Sequence, residues 1–480
     1  MNAPATAHPE RAADAHRHAR RPTARAPWPD TIDQLCAEFG EICRSAVDPL
    51  EIASALEFEG LGDQLAADRF GRADVFDLAE EMYRLVPRDP SEPDPPADPW
   101  QGSRLRPAVH ALLYGIPAVC FTAIGGLFAG PGVLTGLIVA LVTGWAMAQA
   151  LAYAGYLRLG QSGPAQAQRT LRAGLAIGLP LAAAVVLATS AVTGARAPVT
   201  GFGIGEAAYM LGAAVLMVLG DEAWMFAALT PGLAAGAAFI AADRPRALEP
   251  LAWAGLAATA LACVGFAVLR TPGQGGPRAR HLSRPDLPGL AAAAAFGMFA
   301  AGLFVFPTAV IVYGHGRIPP GALLAIMPLS LSMGVAEWSL LWYRRRTRSL
   351  LLSGIEIEAF ARRARRALAG AVLQYLAATV ALTAAAAVLA RATGLLPVSA
   401  ADVPQVIAYV LLGVAMFVAL TLQALGLRAV PVAACGAALG CAVALRSLGM
   451  AAEFVAYGGL LVVLGGYAVA GLGRAIRHIY

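Results

Sequence analysis

Lysine is missing from this chain, and all 36 of its basic side chains are arginine. We read that usage as codon bias; it carries no claim of selected bidentate phosphate binding. Charge of either sign is scarce. Only 14% of the 480 residues are charged, against 58% hydrophobic, with a mean hydropathy of +0.62. This excludes an ordinary water-soluble globular protein. Cys36, Cys43, Cys120, Cys263, Cys435 and Cys441 form no CxxC or Cys/His ligand spacing, so no metal site is expected. Cys36 and Cys43, seven apart on one helix face without a nearby histidine, are expected as buried small hydrophobes. EF-hand spacing, a nucleophile elbow and a phosphate-binding glycine loop are also missing. Gly201, Phe202 and Gly203 are too short a motif and follow no strand. Nothing calls for a cofactor or a nucleic-acid partner.

What is present points to a membrane. The 51 glycines and abundant alanine suit helices whose backbones approach closely where lipid supplies no hydrophobic drive. Residues 1–29 carry Arg11, Arg17, Arg20, Arg21 and Arg25 with no apolar run behind them. They read as a disordered basic cytoplasmic tail, neither signal peptide nor cleavable anchor. Residues 30–88 turn amphipathic: Ile32, Leu35, Cys36, Phe39, Ile42 and Cys43 recur at spacings of three and four. Asp48 before Pro49, and Asp74 before Phe76, Leu78, Met82 and Leu85, mark further helix starts. A small helical cytoplasmic module follows. Its carboxylates Glu57, Glu59, Asp63 and Asp68 are expected as a solvated acidic face. The stretch SEPDPPADPW within residues 89–104 is a Pro/Asp linker.

Apolar runs long enough for a ~30 Å core at ~1.5 Å per residue occur at about 107–129, 131–156, 173–194, 250–270, 286–313, 320–343, 367–390, 404–425, 428–448 and 452–473. Residues 204–242 as a single helix would reach roughly 58 Å, about twice the core, so two short spans fit better. Arginine placement tests that choice, since basic residues gather in cytoplasmic loops. With a cytoplasmic N-terminus and a hairpin at 204–242, Arg158, Arg169, Arg172, Arg278, Arg280, Arg284, Arg344–Arg346, Arg348, Arg362, Arg363, Arg365, Arg366, Arg428, Arg474 and Arg477 all fall inside. Only Arg196, Arg244, Arg246, Arg317 and Arg391 fall outside. The expected architecture is therefore an all-α membrane protein of twelve transmembrane helices in two six-helix bundles. These occupy 105–270 and 286–480 in the cell membrane, are joined by a cytoplasmic linker at 271–285, and leave both termini on the cytoplasmic side. Asp221 and Glu222 then lie in the hairpin turn at the cytoplasmic surface and need no functional explanation.

Each half repeats one event after its second span. Tyr156 leads into LRLGQSGPAQAQRTLRAGLAIGLP, and Tyr343 leads into RRRTRSLLLSGIEIEAFARRARRALAG. Both read as an exit, a Gly-containing turn, a basic amphipathic helix at the interface and a new span, the echo expected of a transporter with a cavity between two bundles. The stretch Leu157–Pro180 resembles the loop after the second helix in the multidrug/oligosaccharidyl-lipid/polysaccharide exporter superfamily, nearer its polysaccharide-type members. The resemblance covers about residues 105–475 and leaves the front module unaccounted for. It implies export or flipping of a polysaccharide or lipid-linked glycan by alternating access. Membrane lipids, and cytoplasmic glycan-synthesis proteins docking on the module, are the implied partners.

Ionisable residues inside spans are functional candidates by default. Glu337 lies about 9 Å along the helix from Tyr343 and is the candidate for proton coupling. The opposing reading pairs it with an arginine in the belt formed by Trp338, Trp342, Tyr343 and Arg344. Gln149, Gln374 and Gln423 are candidate cavity-lining residues, with helix packing as the alternative. His110, His315 and Glu206 read as interfacial, and Arg446 as snorkelling. Pro180, Pro231 and Pro307 are candidates for broken helices around a cavity. A membrane-embedded glycosyl or acyl transferase and a non-transporting scaffold of a synthesis complex stay open. A packed cluster of acids and bases at one membrane face would favour the transferase. A pocket between the halves lined by Gln, Ser and Tyr would favour the transporter.

Overall fold

The computed structural model describes residues 28–87, 106–124, 131–243, 245–272, 286–315, 320–353, 357–393, 402–448 and 452–475. The basic tail up to residue 27, the Pro/Asp linker and nearly all of the 271–285 linker lie outside them. The chain divides into two compact units, Met1–Gln101 and Gly102–Tyr480. Among the described residues all regular structure is helical.

The first unit holds α1 (Ile32–Glu38), α2 (Gly40–Ser45), α3 (Pro49–Phe58), α4 (Asp63–Phe70) and α5 (Val75–Leu85). Its helix starts are fixed by short polar side chains. Thr31 Oγ1 accepts from Gln34 N, Asp48 Oδ1 from Leu50 N at 2.9 Å, and Asp74 Oδ1 from Asp77 N at 2.8 Å. Each satisfies an amide that the helix itself leaves free. Leu35, Phe39, Cys43, Ile52, Leu56, Leu78 and Met82 form the core, and Glu57, Glu59, Asp63 and Asp68 stay exposed.

Burial pushes the Cys36 thiol up to about 11 and raises Cys43 as well. A neutral buried thiol is a poor nucleophile. We therefore expect Cys36 in the native protein to alkylate about a hundredfold more slowly at pH 8 than an exposed thiol of pKa ~8.5, read by mass spectrometry of its peptide. Above pH ~8.5 the unfolded chain loses these protons while the folded module keeps them. Module stability accordingly falls from there up to about pH 11.

The second unit contains α6 (Arg106–Ile124), α7 (Pro131–Ser162), α8 (Pro164–Thr193), α9 (Ala197–Leu219), α10 (Glu222–Ala241) and α11 (Glu249–Arg270). After these come α12 (Leu287–His315), α13 (Pro320–Leu352), α14 (Ile357–Thr393), α15 (Val403–Ala424), α16 (Ala429–Ser447) and α17 (Ala452–Ala475). Ten of these helices are long and apolar enough to cross a membrane, which makes this a multi-pass membrane protein. The other two, α6 and α13, have side chains that lie partly outside the described set. The apolar 204–242 region divides at Gly220, which closes α9 in the left-handed conformation at φ 73° that glycine adopts without strain.

Two expectations need correction. No separate amphipathic helix lies between spans, because α8 and α14 each run unbroken for 30 and 37 residues. Gly163 precedes α8 at φ 83°, and α14 is described from Ile357 onward. Nor do Pro180, Pro231 and Pro307 break α8, α10 and α12. The partner missing at one of these prolines is supplied by a neighbouring helix. Pro307 has no N–H for the Leu303 carbonyl, four residues back, and Tyr457 Oη donates to that carbonyl at 2.7 Å. Beside Pro231, Gly232 N donates to Thr259 Oγ1 at 2.9 Å. Tyr457→Phe leaves the Leu303 carbonyl unpaired and is expected to cost about 1–3 kcal/mol, measured as a lowered unfolding midpoint in detergent.

Packing follows a repeat. α7 packs on α8 and α9, α9 on α11, α10 on α11, and α6 on α10. Six helices later, α13 packs on α14 and α15, α15 on α17, α16 on α17, and α12 on α16. One buried apolar cluster lies wholly within α6–α11 and another wholly within α12–α17. The extensive crossings between the two sets are α7 with α12 and α6 with α13.

Candidate functional site

The α6–α13 crossing assembles a charged cluster. Arg106, His110 and Tyr114 recur every four residues and so share one face of α6. Gly334 of α13 has no side chain to hold the helices apart. A Cβ there would meet Ala111 Cβ at 2.5 Å and Ala111 Cα at 2.9 Å, with the Pro107 carbonyl nearer still. One turn on, Glu337 reaches His110, its Oε2 against the imidazole Nδ1. Glu222, the first residue of α10, sits where a helix N-terminus favours an anion. It bonds His110 Nε2 at 3.1 Å and Arg106 Nε at 2.6 Å through Oε1. His110 is 6% exposed, so its ring has few partners beyond these carboxylates.

Each of the two ring contacts requires a proton, because a carboxylate oxygen only accepts. With both glutamates ionised, His110 is an imidazolium that donates on both sides. Two positive and two negative groups then cancel. Beside the cluster, Arg270 grips Asp221 through two bonds of 2.8 Å.

The α7–α12 crossing is closed by different chemistry. Arg158 Nη2 donates to Asp286 Oδ2 at 2.8 Å, the Arg158 side chain buried and that of Asp286 mostly so. Beside it, from the N-cap of α16, the Arg428 guanidinium stacks 4.6 Å above the Tyr153 ring of α7 and donates to its hydroxyl at 2.9 Å. Gly289 lies under that hydroxyl, and Gly297 faces Gln149 Cγ and the Trp145 carbonyl.

Of the four candidate residues from the sequence, only Glu337 belongs to the charged cluster, and its partner is a histidine of another helix. The arginine belt next to it is engaged elsewhere, Arg344 donating to the Ala424 carbonyl at 2.9 Å. Gln149 is half-buried in the α7–α12 contact. Gln374 is half-buried on α14, and Gln423 ends α15 with its Nε2 buried and unbonded. His110 and Glu222, expected as interfacial and turn residues, are the members that sequence reasoning missed, together with Arg106. The four-residue spacing of Arg106 and His110 was the available signal. The side chain of His315 lies outside the described residues. No group of three or more potential metal ligands occurs among the described residues. No protein-family model, curated protein or solved structure matches this chain.

Proposed function

We propose that this chain is a transporter that exports or flips a polysaccharide or lipid-linked glycan by alternating access. In this reading α6–α11 and α12–α17 are two six-helix bundles, all twelve helices cross the cell membrane, and both chain ends are cytoplasmic. The observation that carries it is the packing repeat with a shift of six helices, joined by two mirrored crossings. Two similar bodies that meet along two symmetry-matched crossings are suited to rocking against one another. The arginine distribution supports this orientation, in which the His110 cluster lies at the cytoplasmic end. Glu337 shares a proton with His110 there. The glycan substrate rests on the resemblance of Leu157–Pro180 to exporter loops, and the acidic front module offers a surface to synthesis proteins.

The acid and base groups gathered at one membrane face also favour a second reading, a membrane-embedded transferase. Against it, both ring nitrogens of His110 are taken by carboxylates and Arg106 holds Glu222, so the closed cluster offers no free base. Proteoliposomes loaded with a fluorescent lipid-linked oligosaccharide separate the readings. Protein-dependent movement of intact label between leaflets is the expected result. Recovery of chemically altered glycan would replace transport by transfer, and label that neither moves nor changes would remove both.

A further inference from the structure

The two seams are closed by groups of opposite proton chemistry. At α7–α12 the buried Arg158–Asp286 pair joins a guanidinium that does not titrate to a carboxylate, and the Arg428–Tyr153 stack adds a second contact that is indifferent to pH near neutrality. At α6–α13 the bridge is an imidazolium, the one side chain whose ordinary charge change falls between pH 5 and 8. Among the described residues, the charged and titratable groups around it come from four helices, with the Asp221–Arg270 pair beside them. Arg106 and Tyr114 come from α6, Glu222 from α10, Glu337 from α13, and the Tyr156 phenol faces the same carboxylates from α7.

Removing one proton from His110 has two effects. One ring nitrogen then presents a lone pair to a carboxylate oxygen, acceptor against acceptor. The cluster also changes from neutral to one net negative charge, with Glu222 and Glu337 no longer separated by a cation. Glu337 is on α13 while Glu222 and His110 belong to α10 and α6, so the uncovered negative charge sets Glu337 against Glu222 across the crossing whichever nitrogen loses the proton, and loss from Nδ1 also removes the bond that ties the two helix sets together.

We propose that the α6–α13 crossing is a proton-held latch and the α7–α12 crossing a fixed hinge, so that cytoplasmic alkalinity opens one seam and leaves the other closed. The inference rests on the transporter reading for the meaning of opening, but the motion itself is measurable alone.

The chain, with its six native cysteines replaced by alanine and its folding checked by size exclusion, takes spin-label pairs at exposed positions. Ala108→Cys with Trp342→Cys reports the latch, and Leu159→Cys with Leu287→Cys reports the hinge. Distances are recorded in liposomes at about pH 5.5 and about pH 9.5, a range that runs well above the ordinary histidine value of ~6.5 because two carboxylates hold the imidazolium proton. At the higher pH the latch pair is expected to gain a longer population, raised at least about threefold, while the hinge pair does not change. His110→Asn cannot bridge both carboxylates and is expected to hold the longer population at both pH values. Glu337→Gln is expected to hold the shorter one at both, since an amide donates to neutral Nδ1 and leaves Nε2–H for Glu222. A pH-invariant latch pair, an unaltered pH response in His110→Asn, or both pairs moving together would overturn the proposal. Glycan movement measured in the same vesicles separates the two ideas. Distances that respond without transport keep the latch and remove the transporter, whereas transport with pH-invariant distances does the reverse.

Discussion

Glu337→Gln is expected to yield a folded protein whose transport rate falls at least about tenfold, equivalent to ~1.4 kcal/mol of added barrier. The carboxylate bonds His110 only through a proton held by the ring, so each opening must release a proton and each closing must bind one. The amide supplies its own N–H. A neutral imidazole then accepts at Nδ1 and donates at Nε2 to Glu222, and the crossing stays shut whatever the pH. Stability should change by under about 1 kcal/mol, because both hydrogen bonds survive. The measurement is glycan movement in proteoliposomes beside a thermal unfolding midpoint. Retention of half the parent rate in a folded Glu337→Gln protein would reduce the residue to an anchor. His110→Asn is expected to lose transport by the opposite route, a seam that does not close.

Gly334→Leu should disrupt the fold itself. The first added carbon already falls 2.5 Å from Ala111 Cβ and 2.9 Å from Ala111 Cα, next to the Pro107 carbonyl. These are largely backbone atoms of α6 and cannot turn aside. Overpacking of this kind costs about 1–3 kcal/mol when neighbours adjust and more when they do not, so a loss of about 3 kcal/mol or greater is expected. It would be read as collapse of the monodisperse peak after detergent extraction. Gly465 of α17 supplies the control, since a Cβ there meets nothing within 4 Å. Gly465→Ala should change stability by under about 1 kcal/mol, in the direction helix propensity favours. Equal yields for the two variants would contradict the close crossing of α6 and α13.

Helices were legible in this sequence where the signal is local. Asp48 and Asp74 cap the helices their positions announce, and the excess length of 204–242 demanded the break that Gly220 provides. The amphipathic stretches after Tyr156 and Tyr343 were legible as helix but not as parts of α8 and α14, because periodicity marks a face and says nothing about where a long helix ends. The cluster was hidden for a different reason. Glu337, Glu222 and His110 come from three helices separated by more than a hundred residues, and each alone resembles an interfacial charge. Only packing through Gly334 makes them one network. A residue's depth along its own span singled out Glu337 and could not name its partner.

The length of α14 has a mechanical consequence. Its 37 residues extend about 55 Å, of which the apolar stretch 367–390 accounts for about 36 Å, so residues 357–366 before it form about 15 Å of continuous helix carrying Arg362, Arg363, Arg365 and Arg366, with Phe360 and Ala364 buried in the apolar cluster. Tilting that helix by about ten degrees moves the start of this arm by ~3 Å relative to the beginning of the apolar stretch, by leverage alone. Any body resting against those four guanidinium groups feels the motion of the membrane-embedded helices as a push, with no signal passing through a flexible tether.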